Sequence, residues 1–220
     1  MYQGLIFDLD GVLVDTAKYH YLAWKEIAEE LDIPFTLQDN ERLKGVSRVR
    51  SLEIILEIGR RQMEPEEQAY YCHKKNERYL EFIRQMPASE ILPGVRDFIA
   101  DARLRGYRIA LGSASKNSRV ILGRIGLEDA FDAIIDGTKV AKAKPDPEVF
   151  LKGAAALGLA CAGCIVFEDA VAGIAAAHAA GMAAVGIGTR ESLSEADYVI
   201  PGFESTSIGQ LVQVLAECCQ

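Results

Sequence analysis

Two carboxylates, Asp8 and Asp10, stand two residues apart at the end of the apolar run Leu5-Ile6-Phe7. Side chains on a strand alternate between faces, so the pair projects to one side if the strand continues through it. Two acids crowded at one site repel each other. A cation relieves that repulsion, or the two divide the work, one ionised as a nucleophile and the other carrying a proton. Asp-x-Asp-Gly also occurs in ordinary turns and calcium loops, but the rest of the calcium-loop spacing is absent.

Three further pieces are expected at the same edge of the fold. Gly112-Ser113-Ala114-Ser115-Lys116-Asn117 offers hydroxyls and the first amides of a helix, which together can cradle a phosphate; a simple helix cap is the plainer reading. In Lys144-Pro145-Asp146-Pro147, Pro145 restricts Lys144 to an extended backbone and Pro147 suits the start of a helix. A lysine so held can neutralise charge developing on a phosphoryl group. Phe167-Glu168-Asp169 places two adjacent acids at another strand end. With Asp8 they would form an oxygen-rich, incomplete octahedral site that suits magnesium, with waters and a substrate oxygen completing it.

The elements that must position these residues follow from the apolar runs. Strands are expected at Leu5–Phe7, Arg108–Gly112, Ile134–Ile135, Ile165–Phe167 and Ala184–Ile187, with Tyr198–Ile200 as an edge strand. Helices are expected near 95–106, 117–126, 147–158, 171–181 and 207–218. Alternating helices and near-continuous apolar strands imply an α/β fold with a parallel sheet covered on both faces. Ligands of such folds bind outside the carboxyl ends of the strands, where Asp8, Ser113 and Asp169 fall. Residues 16–86 break the rhythm and read as amphipathic helices near 17–31, 40–58 and 65–86, interrupted at Ile33-Pro34 and between Gly59 and Pro65. The chain is therefore expected to hold a core domain, 1–15 and 87–220, and an inserted helical cap, 16–86. Paired linkers near Asp15-Thr16 and Met86-Pro87 would allow hinge closure.

A net charge of −8 and the lack of an extended basic face exclude general nucleic-acid binding. No apolar stretch approaches the ~20 residues of a membrane span, and the start of the sequence lacks the pattern of a signal peptide. A soluble cytoplasmic monomer acting on a small molecule is the expectation. Five cysteines fit reduced thiols better than a disulfide framework. Cys161-x-x-Cys164 lacks a second ligand pair, and Cys218-Cys219 is expected to have no role.

Asp8-Leu9-Asp10-Gly11, Ser113, Lys144 and Glu168-Asp169, in this order and with a helical insert after the first motif, resemble the haloacid dehalogenase (HAD) superfamily of phosphotransferases. The resemblance covers the whole chain and implies a Rossmann-like core with a type-1 cap. It implies that Asp8 attacks phosphorus to form an aspartyl-phosphate, and that Asp10 is the general acid and base. Ser113 and Lys144 would bind the transferring phosphoryl group. Asp8, the backbone carbonyl of Asp10, and Asp169 would hold magnesium, assisted by Glu168.

The superfamily contains both phosphatases and mutases. The cap segments Asp15-Thr16-Ala17-x-x-His20-x-x-x-Trp24, Leu43-Lys44-Gly45-Val46-Ser47-Arg48 and Lys74-Lys75-Asn76 resemble the branch that interconverts β-glucose 1-phosphate and glucose 6-phosphate. That resemblance implies β-glucose 1,6-bisphosphate as activator and intermediate. A mutase must hold a second, non-reacting phosphate, and Arg48 offers a planar fork for it, assisted by Ser115 and Asn117. The segment from Lys44 through Gly45 and Val46 to Ser47 would contact substrate, flanked on the core side by Ala114 and Lys116. His20 would bridge Lys75 and the backbone near Asp10, Thr16 would lie at the hinge, and Trp24 would belong to the cap core or line the substrate site. Taken one at a time, His20, Arg48 and Lys75 also read as ordinary satisfied or solvated side chains. Asp146 between the prolines and Arg119 after the serine loop depart from the pattern. A phosphatase using the same Asp8 chemistry is the alternative, and a sugar-phosphate-binding regulator without turnover is a third reading.

Overall fold

The structure, a computed structural model, describes residues 2–43 and 46–218. The expectations at Lys44, Gly45 and Cys219 lie outside the described residues. In chain order the elements are β1 (Gly4–Phe7), α1 (Ala17–Glu30), α2 (Leu37–Glu41), α3 (Arg48–Ile58), α4 (Pro65–Arg84), α5 (Val95–Leu104), β2 (Arg108–Gly112), α6 (Ser118–Ile125), β3 (Ala133–Ile135), α7 (Glu148–Leu157), β4 (Cys164–Glu168), α8 (Val171–Ala179), β5 (Ala183–Ile187), β6 (Tyr198–Ile200) and α9 (Ile208–Cys218). They form two compact units, Met1–Asp15 with Pro87–Gln220 and Thr16–Met86.

The first unit is built on a parallel sheet, which among the described residues has six strands in the order β3-β2-β1-β4-β5-β6. The order reverses direction at β1, so a crevice opens between the carboxyl ends of β1 and β4. Both strands are buried throughout, which is why their sequences are apolar without alternation. On one face Phe7 and Phe167 are opposite each other in register and stack at 4.5 Å between centroids, with Phe98 and Phe203 packed around them. On the other face Ile6, Ala110 and Val166 meet Phe150 and Ala154 of α7 and Ile174 and Ala177 of α8. The sheet therefore fixes its strand ends from both sides.

Asp8 and Asp10 depart from the expectation that the strand carries them. β1 ends at Phe7, and Leu9 to Val14 fold into a tight turn closed by Leu13 N–H to Leu9 O and Gly11 N–H to Val14 O, both 2.9 Å. Gly11 makes this turn possible at φ +78°. Strand alternation thus does not set the relation between the two acids.

In the second unit, α1, α3 and α4 enclose Trp24, Ile27, Leu31, Leu52, Ile55 and their neighbours. The single helix expected over 40–58 is instead two. Thr36 and Asp39 form a reciprocal capping box that starts α2 at Leu37. Ser47 accepts from Arg50 N–H at 3.2 Å and starts α3 at Arg48. The caps, which the apolar spacing does not encode, decide the break. The interruptions expected at Ile33-Pro34 and before Pro65 are present, with Pro65 opening α4. Among the described residues no helix is long and apolar enough to cross a membrane.

Candidate active site

The strand ends of the first unit hold a lysine between acids. Asp8 N–H donates to Phe167 O at 3.0 Å, carrying the β1–β4 ladder one step past the strand. This brings the Asp8 carboxylate level with the end of β4. Lys144 Nζ donates to Asp8 Oδ1 at 2.6 Å and also to Glu168 Oε1; Asp8 and Glu168 are buried and Lys144 is partly buried. Its ammonium also lies 4.8 Å from the centre of the Phe150 ring. Two glycines make room for the neighbouring acids. A Cβ at Gly11 would lie 2.0 Å from Asp169 Oδ2, and one at Gly173 would lie 1.9 Å from Glu168 Cδ.

Electrostatics mark Asp169 as the uncompensated member. Burial would lower the Lys144 ammonium, but the Asp8 and Glu168 carboxylates outweigh it and hold it above the ordinary lysine range. Burial pushes Glu168 up against the pull of Lys144. Asp169 keeps part of its surface open to solvent and has no ion-pair partner among the described residues. Partial burial and the charges of Glu168, Asp8 and Asp10 push it up to about 7. Crowded hard oxygens with one lysine among four acids fit a divalent cation. Among the described residues no three ligating groups already converge on one point; magnesium keeps several waters and needs only one or two carboxylates.

The second piece lies at the end of β2, beside β1. Ser113 is buried, its N–H donates to Ile135 O at 3.0 Å, and its Oγ accepts from Ser115 N–H at 3.1 Å. Ser115 Oγ accepts from Asn117 N–H at 3.3 Å. Each hydroxyl is held as an acceptor, so its own proton is available to donate, as an anion requires. Ala114 and Lys116 are exposed on the same loop. Arg119 pairs with Glu128 at 2.9 Å, and Asp146 accepts from Glu148 N–H at 3.0 Å and pairs with Lys142 at 3.2 Å. Both departures are thus engaged in local structure.

The cap unit gathers a separate cationic cluster. Lys75 is 2% exposed, bonds His20 Nδ1 at 2.8 Å, and lies over the rings of Trp24 and Tyr79 at 5.2 and 4.6 Å. An ammonium only donates, so His20 Nδ1 accepts and the imidazole is neutral. Burial, then the charges of Lys75 and Arg48, hold His20 well below its usual value. Arg48 opens α3, is half-buried, and donates from Nη2 to Asn76 Oδ1 at 2.8 Å. Among the described residues it has no carboxylate partner, and burial lowers its pKa. Val46 and Ser47 lie in the segment leading into α3, and Thr16 is buried just before α1.

Thus Asp8, Lys144 and Glu168 come into contact, with Asp169 and Asp10 in their field, and His20, Trp24, Lys75 and Arg48 gather in the cap. Sequence reasoning gave no role to Asn76 or Tyr79. The signal was present: Cys72, Lys75, Asn76 and Tyr79 follow the i, i+3, i+4, i+7 spacing of one helix face. Cys161 and Cys164 are free thiols at the opposite end of β4, and burial, with Cys161 adding, pushes Cys164 up to about 11.

A parallel sheet with acids at its switch point and an inserted helical unit defines a class. The sequence pattern of haloacid dehalogenase-like hydrolases matches residues 2–181. The chain belongs to that family and is an enzyme of it. Among its relatives, the Bacillus subtilis beta-phosphoglucomutase is 45% identical over 200 residues, 90% of this chain and 88% of that protein. The crystal structure of a Clostridium difficile beta-phosphoglucomutase superposes with a TM-score of 0.91 at 38% identity, covering 99% of this chain and 98% of the other. The Escherichia coli fructose-1-phosphate phosphatase is 34% identical over 188 residues, 84% of this chain and 96% of that protein.

Proposed function

We propose that the chain is a magnesium-dependent β-phosphoglucomutase that interconverts β-D-glucose 1-phosphate and D-glucose 6-phosphate. The observation that carries this reading is Arg48, a half-buried guanidinium with a neutral partner and, among the described residues, no carboxylate. A phosphatase has one phosphate to bind, whereas a mutase has two. Identity to the B. subtilis enzyme over most of both chains supports the same conclusion.

In the proposed cycle Asp8 carries a phosphoryl group as an aspartyl-phosphate. Asp10 takes the proton from the sugar 6-hydroxyl as that oxygen attacks phosphorus and the bond to Asp8 breaks. The product is β-glucose 1,6-bisphosphate, which turns end for end. Asp8 then attacks the phosphorus of the 1-phosphate, and Asp10 returns its proton to the departing C1 oxygen. Lys144 and Ser113 hold the transferring group, and Arg48, with Ser115 and Asn117, holds the other phosphate. Magnesium, held by Asp8, the Asp10 carbonyl, Glu168 and Asp169, would supply charge neutralisation in the transfer. A small soluble substrate, action as a monomer, a cytoplasmic setting and no nucleic-acid partner complete the reading, the last supported by the acidic net charge.

Likeness to the fructose-1-phosphate phosphatase favours a second reading, in which water accepts the phosphoryl group from Asp8. The test is a panel of β-sugar 1-phosphates with magnesium, with and without catalytic bisphosphate. The mutase reading expects glucose 6-phosphate as the main product from β-glucose 1-phosphate, and only with bisphosphate. Inorganic phosphate with negligible glucose 6-phosphate overturns it.

A further inference from the structure

The lysine that contacts Asp8 stands on a loop. Residues 136–147, between β3 and α7, form turns and bends without regular structure. Irregular backbone holds a side chain in place only where something ties it down.

Here the first turns of α7 supply the ties. Glu148 Oε2 accepts from two successive amides, Ala141 N–H at 2.9 Å and Lys142 N–H at 2.8 Å. Its other oxygen accepts from Lys152 Nζ at 2.5 Å, one helical turn on. Lys152 Nζ also donates to Lys139 O at 2.6 Å. Asp146 N–H closes the far side on Ala143 O at 3.0 Å. Lys139, Ala141 and Lys142 are thereby fastened to one carboxylate and one ammonium of the helix that also carries Phe150, the ring beside Lys144. Lys152 and the two amides, Lys142 foremost, hold the Glu148 carboxyl at about 2, so the anion persists at any working pH.

We infer that Glu148, braced by Lys152, is a positioning residue that fixes the loop bearing Lys144 and so sets the Lys144 ammonium against Asp8. It touches neither Asp8 nor the other acids of the site, and it acts through the loop. The inference rests on Lys144 being the cation that binds the transferring phosphoryl group.

The experiment is a double-mutant cycle of Glu148→Ala and Lys144→Ala, read as kcat and KM for the mutase reaction. Losing one electrostatic donor costs about 10²- to 10³-fold, which leaves Lys144→Ala measurable. A misplaced catalytic group costs up to about 10²-fold, so Glu148→Ala in the parent should lower kcat by about 10- to 100-fold, with KM changed less than about twofold. In the Lys144→Ala background the same change should cost nothing further, because the group it positions is gone. Glu148→Gln, which keeps the shape and a weaker acceptor, should fall between, and Lys152→Met should act in the same direction with a smaller effect. Equal loss from Glu148→Ala in both backgrounds, or none in the parent, overturns the clamp alone. Full activity of Lys144→Ala overturns the reading of Lys144 and the clamp with it.

Discussion

Arg48 is where the account can be broken most cheaply. Ser47 caps α3 so that Arg48 is its first residue, and the Asn76 carboxamide holds one arm of its guanidinium at 2.8 Å. The remaining nitrogens can meet a phosphate as a fork. Charge-assisted hydrogen bonds contribute ~1.5–3 kcal/mol each when broken, and a half-buried pair, partly screened by solvent, belongs near what one such bond supplies. Removing the guanidinium in Arg48→Ala should therefore cost about 2–3 kcal/mol, or about 30- to 150-fold in kcat/KM for β-glucose 1-phosphate. Arg48→Lys keeps the charge and loses the fork, and should recover roughly half of that free energy. The assay couples glucose 6-phosphate formation to a dehydrogenase at fixed magnesium and bisphosphate. Hydrolysis of p-nitrophenyl phosphate, which carries no second phosphate, serves as the internal control and should change by less than about twofold. If both reactions fall equally, or neither falls, Arg48 supports structure and the two-phosphate argument fails.

Asp10→Asn should slow phosphoryl transfer by about 10²–10⁴-fold while the thermal midpoint stays close to that of the parent, measured by single-turnover kinetics and a melt; near-normal turnover would remove Asp10 as the proton carrier. His20 is held well below its ordinary value, so the unfolded chain binds this proton more readily than the folded one. Its contribution to stability is intact above about pH 6.5 and lost as pH falls toward the lowered folded value. His20→Gln should flatten that part of the pH profile in urea unfolding, and an unchanged slope would contradict the buried neutral imidazole. Asp169, at about 7 without metal, must lose its proton before it can hold a cation. Magnesium affinity should therefore weaken by up to about tenfold per pH unit below that value, and calorimetric titrations at several pH values would show it, whereas a flat profile would exclude Asp169 as a ligand.

Much of the fold could be read from the sequence because the sheet is buried on both sides. An apolar run such as Cys164-Ile165-Val166-Phe167 leaves few alternatives, and its end at Glu168-Asp169 locates the chemistry. What could not be read lies where one side chain decides the backbone. The Thr36 and Ser47 caps split a stretch whose apolar spacing runs on as one helix, and Gly11 ends β1 at Phe7 by taking a left-handed turn. The relation of Asp8 to Asp10 then depends on that turn, which strand periodicity cannot describe. The contact of Lys144 with Asp8 crosses 136 positions of chain, and only the sheet order brings them together. His20, Lys75 and Tyr79 form a cluster for a similar reason, since α1 and α4 meet through packing that neither helix encodes alone.

The central claim is that Asp8 passes its phosphoryl group to a sugar hydroxyl and not to water. Enzyme labelled with ³²P from β-glucose 1,6-bisphosphate and chased with β-glucose 1-phosphate in magnesium tests it in one turnover. The account predicts that acid-precipitable label is present before the chase, absent from Asp8→Asn, and recovered afterwards in sugar bisphosphate and glucose 6-phosphate. Recovery of the label as inorganic phosphate, at a rate indifferent to the sugar, would contradict it.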